Sequence, residues 1–177
     1  MPKELHTSMV AELLRLLEEK AGENKSDYTV RLILSGKVWE PPVMMDVLDQ
    51  AGMVSVGDDF CTGYRYIAND VPETGEPLTS LAERQFKRLP IAAFAGKSGD
   101  RINSLINMVK ENRADGILFV HLKFCENENF DYPMLRDGLS SAGVPNFRVE
   151  TEVGTRVGEL FPQIMSFAKA LSKGEGL

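Results

Sequence analysis

The chain predicts an α/β protein: a three-layer, flavodoxin- or Rossmann-like open sheet, mainly parallel, of about four strands with helices on both faces. Three observations carry this. Strand-like apolar runs alternate with helix-patterned segments from Tyr28 to Val149, the pattern of a parallel sheet built by crossover connections. Most connections between these segments are short. The run Gly116-Ile-Leu-Phe-Val120 is apolar without alternation, as expected of a strand covered on both faces. With 177 residues, 43% of them hydrophobic, the chain can bury one core, so residues 1–177 read as a single domain. The expected strand order is 2-1-3-4, with residues 30–34 at the centre.

The elements follow in order. Residues 4–20 read as an amphipathic helix, because Leu5, Met9, Leu13, Leu16 and Leu17 recur at helical spacing. This helix precedes the first strand; it either packs across the sheet or, within residues 1–22, forms an interdomain element. Residues 22–27 break it as a linker. Residues 28–34 form the first strand, ended by Ser35-Gly36. Pro41-Pro42 start a helix to Ala51, capped by Gly52. Residues 53–56 form the second strand. Residues 57–75 show no sustained period and read as a long loop, which in a compact domain is usually functional or disordered. Helices follow over 77–88 and 98–113, the second with Ile102, Leu105, Ile106 and Val109 on one face. The third strand is 116–120. A polar loop leads to a helix over 133–142, then a short strand at 146–149. The last helix covers 155–173, where Pro162 either kinks it or marks its start.

Composition removes several function classes. No apolar run reaches the roughly 18 residues of a membrane span, and the N-terminus lacks a signal-peptide core. A net charge of −6 with scattered basic residues argues against nucleic acid, which needs a concentrated basic surface. The 2 cysteines are no disulfide framework, and a reducing cytoplasm is the expected setting.

Both cysteines follow strands. Ligands bind outside the carboxyl ends of parallel strands, so these exits are where chemistry is expected. Cys125 lies among Lys123, Glu126, Asn127, Glu128 and Asn129, a poor place to hide an apolar thiol, although free cysteines are commonly buried and inert. Cys61 lies in Gly57-Asp-Asp-Phe-Cys-Thr-Gly-Tyr-Arg65. There Arg65 could grip a phosphate or carboxylate bidentately, or hold Asp58 or Asp59 in a structural ion pair. His121 precedes Cys125 by four residues, but two ligands do not make a zinc site, and a strand-end histidine bonded to backbone is the plainer reading. His6 falls on the polar side of the first helix. Trp39, after the first strand, could line a pocket or cap the core.

At Ser35-Gly36, at Gly57-Asp-Asp-Phe-Cys-Thr-Gly-Tyr-Arg65, and at Lys123-Phe-Cys-Glu126 followed by Asp131, the chain resembles a known family. It is similar, over about residues 4–171, to the C-terminal domain of the iron–sulfur subunits of 2-hydroxyacyl-CoA dehydratases and benzoyl-CoA reductases, the 2-hydroxyglutaryl-CoA dehydratase D-component type. The resemblance implies a subunit of two similar α/β halves. It also implies a [4Fe–4S] cluster in the cleft beside an acyl-CoA site, a heterodimeric partner subunit, and a separate ATP-dependent iron–sulfur activator. The activator's electron would drive radical dehydration or aromatic ring reduction. Cys125 matches the cluster ligand expected from the C-terminal half; Cys61 matches a turn of the family. Arg65 and Trp39 are the candidates for the acyl-CoA pocket. Family members use three cysteines per cluster, mostly from the N-terminal half, so the isolated chain is expected to hold no cluster and to be inactive.

Two other readings stand beside this one. The chain could be a non-catalytic α/β binding or assembly module on the same fold, since fold does not confer function. Cys61 and Cys125 could also form a redox pair, which needs Cα atoms within about 7 Å and therefore adjacent strands.

Overall fold

The structure, a computed structural model, describes residues 1–20, 28–39, 42–73, 75–87, 98–152 and 154–173. The strands are β1 (Val30–Gly36), β2 (Met53–Phe60), β3 (Gly116–Leu122) and β4 (Asn146–Thr151). They form one parallel sheet in the order β2-β1-β3-β4, as the alternation predicts. The helices are α1 (Lys3–Lys20), α2 (Met44–Gln50), α3 (Tyr64–Ile67), α4 (Pro77–Lys87), α5 (Ser98–Glu111), α6 (Glu126–Ser141) and α7 (Val157–Lys173).

Successive side chains of a strand point to opposite faces, and here each face has its own core. Val30, Leu32 and Leu34 of β1 join Leu118 and Val120 of β3 against Met44, Val47 and Leu48 of α2 and Leu160, Ile164 and Phe167 of α7. Ile33 of β1 and Ile117 and Phe119 of β3 face the other way, against Leu105 and Met108 of α5 and Leu135 and Leu139 of α6. Both layers cover β1 and β3, which explains their lack of alternation. Gly36 ends β1 where the sheet leaves no room: a Cβ there would lie 2.4 Å from the Val120 carbonyl oxygen.

Several boundaries differ from expectation. Strand β1 runs through Ser35 and Gly36, both buried, instead of stopping before them. Strand β2 continues four residues beyond Val56, to Phe60. The cause is a register shift: Leu32 pairs with Ser55 but Ile33 pairs with Gly57. The extra residue resets the inside–outside phase, so the strand's second half shows no period continuous with its first. The long loop expected over 57–75 is thus half of a strand, the short helix α3, and a connection to α4. Helix α6 begins at Glu126, not Pro133; acids in its first turn, Glu126 and Glu128, suit the positive end of a helix dipole, and the proline stands inside the helix. Helix α7 starts at Val157, so Pro162 is also interior. Helix α2 starts at Met44, after Pro42. Helix α1 does not pack across the sheet: none of its residues is buried. The linker expected at 22–27, Pro41 and Arg88 lie outside the described residues.

Candidate functional site

All four strands run the same way, so their exits share one edge of the sheet. At this edge Ser35 pairs with Asp59 across β1 and β2, and both are buried. Asp59 Oδ2 accepts hydrogen bonds from Ser35 Oγ at 2.9 Å and from Arg101 Nε and Nη2 at 3.2 and 3.0 Å. Arg101 Nη1 reaches Asp131 Oδ2 of α6 at 2.5 Å, and its Nη2 also donates to Ser35 Oγ at 3.1 Å. Arg65 of α3 donates to the backbone carbonyls of Asp59 and Gly36 and pairs with Asp59 Oδ1 at 3.1 Å. Each of these charged side chains is at most 5% exposed. Buried charges of this kind persist only when paired and hydrogen-bonded. Two guanidiniums and two carboxylates therefore lock two strand ends to α3, α5 and α6.

Cys61 follows β2 directly, and its backbone NH donates to the Lys37 carbonyl at 3.1 Å. That bond joins the exits of β1 and β2. Its thiol is free and half-buried, close enough to Arg65 to act on its charge. The dense turn after it depends on Gly63, because a Cβ there would overlap the Asp58 carboxylate at 2.0 Å. That carboxylate accepts from the backbone NH groups of Phe60 and Tyr64, both at 3.0 Å.

Cys125 is the N-cap residue of α6 and makes no side-chain cap bond. Two residues, Lys123 and Phe124, separate it from β3. Phe124 has φ 64° and is 90% exposed. A bulky residue in the left-handed region is costly; here it lets the chain pass from strand to helix in so few residues. The turn is closed by Cys125 N–H donating to the Leu122 carbonyl at 3.1 Å, and the first helical turn by Asn129 N–H donating to the Cys125 carbonyl at 3.0 Å. The thiol is free and half-buried.

Glu128, in the first turn of α6, is 5% exposed, and neither carboxyl oxygen has a partner in hydrogen-bond geometry. Burial pushes its carboxyl above the usual range; the Leu122 backbone NH, the Cys125 thiol and the charges of Arg101 and Arg65 pull it back. In the sequence this residue is legible only as a member of a polar loop. Once 126–133 is helical, Glu128 and Asp131 fall on the same inward face as Leu135 and Leu139. Arg101 carries a similar signal: it shares the buried stripe of α5 with Leu105 and Met108.

The remaining candidates sit as follows. Trp39 is half-buried and packs on the α2–α7 core, its ring edge-on to Phe60 at 5.7 Å. The guanidinium of Arg65 faces inward, with Nε and Nη2 engaged as above. His121 is 1% exposed and lies edge-on to Phe119 and Tyr132 at 5.7 and 5.5 Å. Its Nδ1 has no hydrogen-bond partner, so ring packing, and not the expected backbone bond, holds this side of the imidazole. His6 is exposed on α1. Cys61 and Cys125 leave β2 and β3, which have β1 between them. The adjacent strands that the redox-pair reading requires are therefore absent.

An iron–sulfur cluster needs thiolates or other anionic donors at a preorganised place. The orphaned carboxyl of Glu128 beside the Cys125 thiol suits a cationic metal group. The donors present amount to a share of a shell: the chain has 2 cysteines, and among the described residues no three of His, Cys, Asp and Glu cluster as a metal site. No described helix is long and apolar enough to cross a membrane.

The chain matches the profile of the family described as 2-hydroxyglutaryl-CoA dehydratase, D-component, over residues 1–171. It is 32% identical over 153 residues to the (R)-phenyllactyl-CoA dehydratase beta subunit of Clostridium sporogenes, covering 86% of this chain and 40% of that protein. It is 30% identical over 155 residues to the beta subunit of lactoyl-CoA dehydratase from Anaerotignum propionicum, with 86% and 40% covered. It is 27% identical over 149 residues to a benzoyl-CoA reductase subunit of Thauera aromatica, with 82% and 38% covered. The chain thus spans about 40% of the length of these relatives.

Proposed function

Because this chain belongs to the 2-hydroxyglutaryl-CoA dehydratase D-component family, we propose that it is the C-terminal half of a subunit that dehydrates a 2-hydroxyacyl-CoA or reduces an aromatic acyl-CoA. Cys125 contributes a thiolate to a [4Fe–4S] cluster at the edge where β1, β2 and β3 end. Cys61 stands on the same edge as a second candidate ligand. The remaining thiolates come from the N-terminal half of the same polypeptide, which α1 joins to this domain. A heterodimer forms with a partner subunit, and an ATP-dependent iron–sulfur activator delivers the electron. When bound, the cluster supplies low-potential one-electron chemistry. This chain's own residues fix the edge: Arg65 holds the Gly36 and Asp59 carbonyls, and Trp39 covers the core beside the β1 exit, next to where the acyl-CoA lies.

The observation that carries the reading is the placement of Cys125. It caps the helix that follows β3, the strand whose Ile117 to Val120 are at most 1% exposed. A ligand must be held by a rigid backbone, and this one is. The test uses the full subunit with its partner. Cys125→Ala is expected to lose most cluster iron and anaerobic turnover, and Cys61→Ala to lose less. The opposite order would reverse the assignment. The isolated 177 residues, with two thiols, are expected to show no four-iron cluster after anaerobic reconstitution.

A further inference from the structure

Helix α1 carries an apolar surface that the domain leaves uncovered. None of its residues is buried, and none joins either core. At about 100° of turn per residue, its leucines, Met9 and Val10 fall within about half of the helix circumference. Each is 41% to 57% exposed. Between Thr7 and Glu19 nothing polar enters that arc. The opposite side is self-contained, since Arg15 pairs with Glu12 at 2.8 Å and with Glu19 at 2.5 Å. A helix in a protein is held mainly by packing its amphipathic face, and this face has no partner in either core.

The charges at the helix ends point to the occupant. Lys3 lies in the first turn and Glu18 in the last, each at the end that the helix dipole disfavours for its sign. Neither makes an ion pair among the described residues. Both stand on one flank of the arc, beside Leu14. When two identical helices pack antiparallel about a twofold axis, like flanks meet at opposite heights. Lys3 of each copy then faces Glu18 of the other; in a parallel pair it would stand level with a second Lys3. The same register sets Leu5 of each copy against Leu16 of the other, because both pairs share one midpoint, between Val10 and Ala11. Seven half-open apolar side chains present on the order of 600 Å², the upper end of what a lone monomer exposes in one patch. Two copies bring together about 1,200 Å², enough for a specific interface.

We propose that α1 is a self-association helix: two copies of this chain pair antiparallel through the Leu-rich arc, with Lys3 and Glu18 setting the register. The inference goes beyond the proposed function and does not depend on a cluster.

Sedimentation equilibrium of the 177-residue chain in reducing buffer tests it. The mass is expected to move from 19.6 kDa toward twice that value as concentration rises. Leu13→Glu with Leu17→Glu, which buries charge in the arc, should raise the dissociation constant about a hundredfold or more. The urea midpoint of the two cores should not change. Removal of residues 1–20 should leave a monomer. Lys3→Glu favours the helix dipole but opposes Glu18, so it should weaken the dimer about tenfold. Lys3→Glu with Glu18→Lys should restore the original constant within about twofold. A chain that stays monomeric overturns the proposal and leaves the arc to another body, such as the N-terminal half of the proposed subunit. A dimer that survives the double glutamate variant or the removal of α1 overturns it as well. If the charge swap fails to restore what Lys3→Glu loses, the antiparallel register is wrong and the proposal falls with it.

Discussion

His121 is nearly sealed between Phe119 and Tyr132. Burial first, then the charges of Arg148 and Arg101, lower its pKa from 6.5 to about 3. The sign of the pH effect follows. Between these two values the unfolded chain takes up a proton that the folded chain refuses. Stability is therefore complete above about 6.5 and falls as pH drops toward 3. At about 1.4 kcal/mol per unit of pKa, the loss over the whole window is on the order of 5 kcal/mol. His121→Phe, which suits the ring cluster and cannot be protonated, should flatten this limb. Urea unfolding at about pH 7 and about pH 4.5, either side of the upper end of that window, checks it; equal acid losses in both proteins would show that another group governs the acid limit.

At the scale of elements, the buried Asp–Arg network is what aligns α5 and α6 with the strand ends. Arg101→Met strands Asp131 as a buried carboxylate and leaves Asp59 with Arg65 and Ser35 as its partners. It should destabilise the chain by about 3–5 kcal/mol, read from urea midpoints. Arg101→Met combined with Asp131→Leu should recover part of that loss, because the orphaned carboxylate is gone while Asp59 keeps Arg65. A double variant no better than the single one would place the cost elsewhere. The same network shows why part of the site escapes the sequence. Strand β3 is plain to read, since an apolar run without alternation admits few other readings. Cys61 and Cys125 stand out because they follow strands. Arg101, Glu128 and Asp131 carry charge, and a charged residue reads as solvent-facing until its partners are brought to it. Asp59 and Ser35 meet only through the register that the shift between Leu32 and Ile33 creates. The start of α6 is hidden because Pro133 looks like a beginning, while the acids that do begin the helix look like a loop.

At the scale of the whole molecule, the two cores and the sheet are independent of α1. Its apolar residues Leu5, Met9, Val10, Leu13, Leu14, Leu16 and Leu17 are all exposed, and none of its side chains contributes to either core. Removing residues 1–20 should leave the unfolding free energy of the rest within about 0.5 kcal/mol, the scale of surface changes. Urea titration of the shortened chain measures this; a loss of several kcal/mol would mean that α1 is part of the domain's own core.

The position of β1 between β2 and β3 has a consequence for life in air. An oxygen-damaged thiol usually finds rescue in a neighbour, which traps it as an internal cystine that a reductant can later reopen. Here the central strand stands between the two strands that the cysteines follow. Oxidation at Cys125 or Cys61 is then expected to go outward, into covalent dimers whose yield rises with protein concentration, or onward to sulfinic and sulfonic acids that no thiol reverses. A domain arranged in this way has no neighbouring thiol on an adjacent strand with which either cysteine could be sheltered once oxygen arrives.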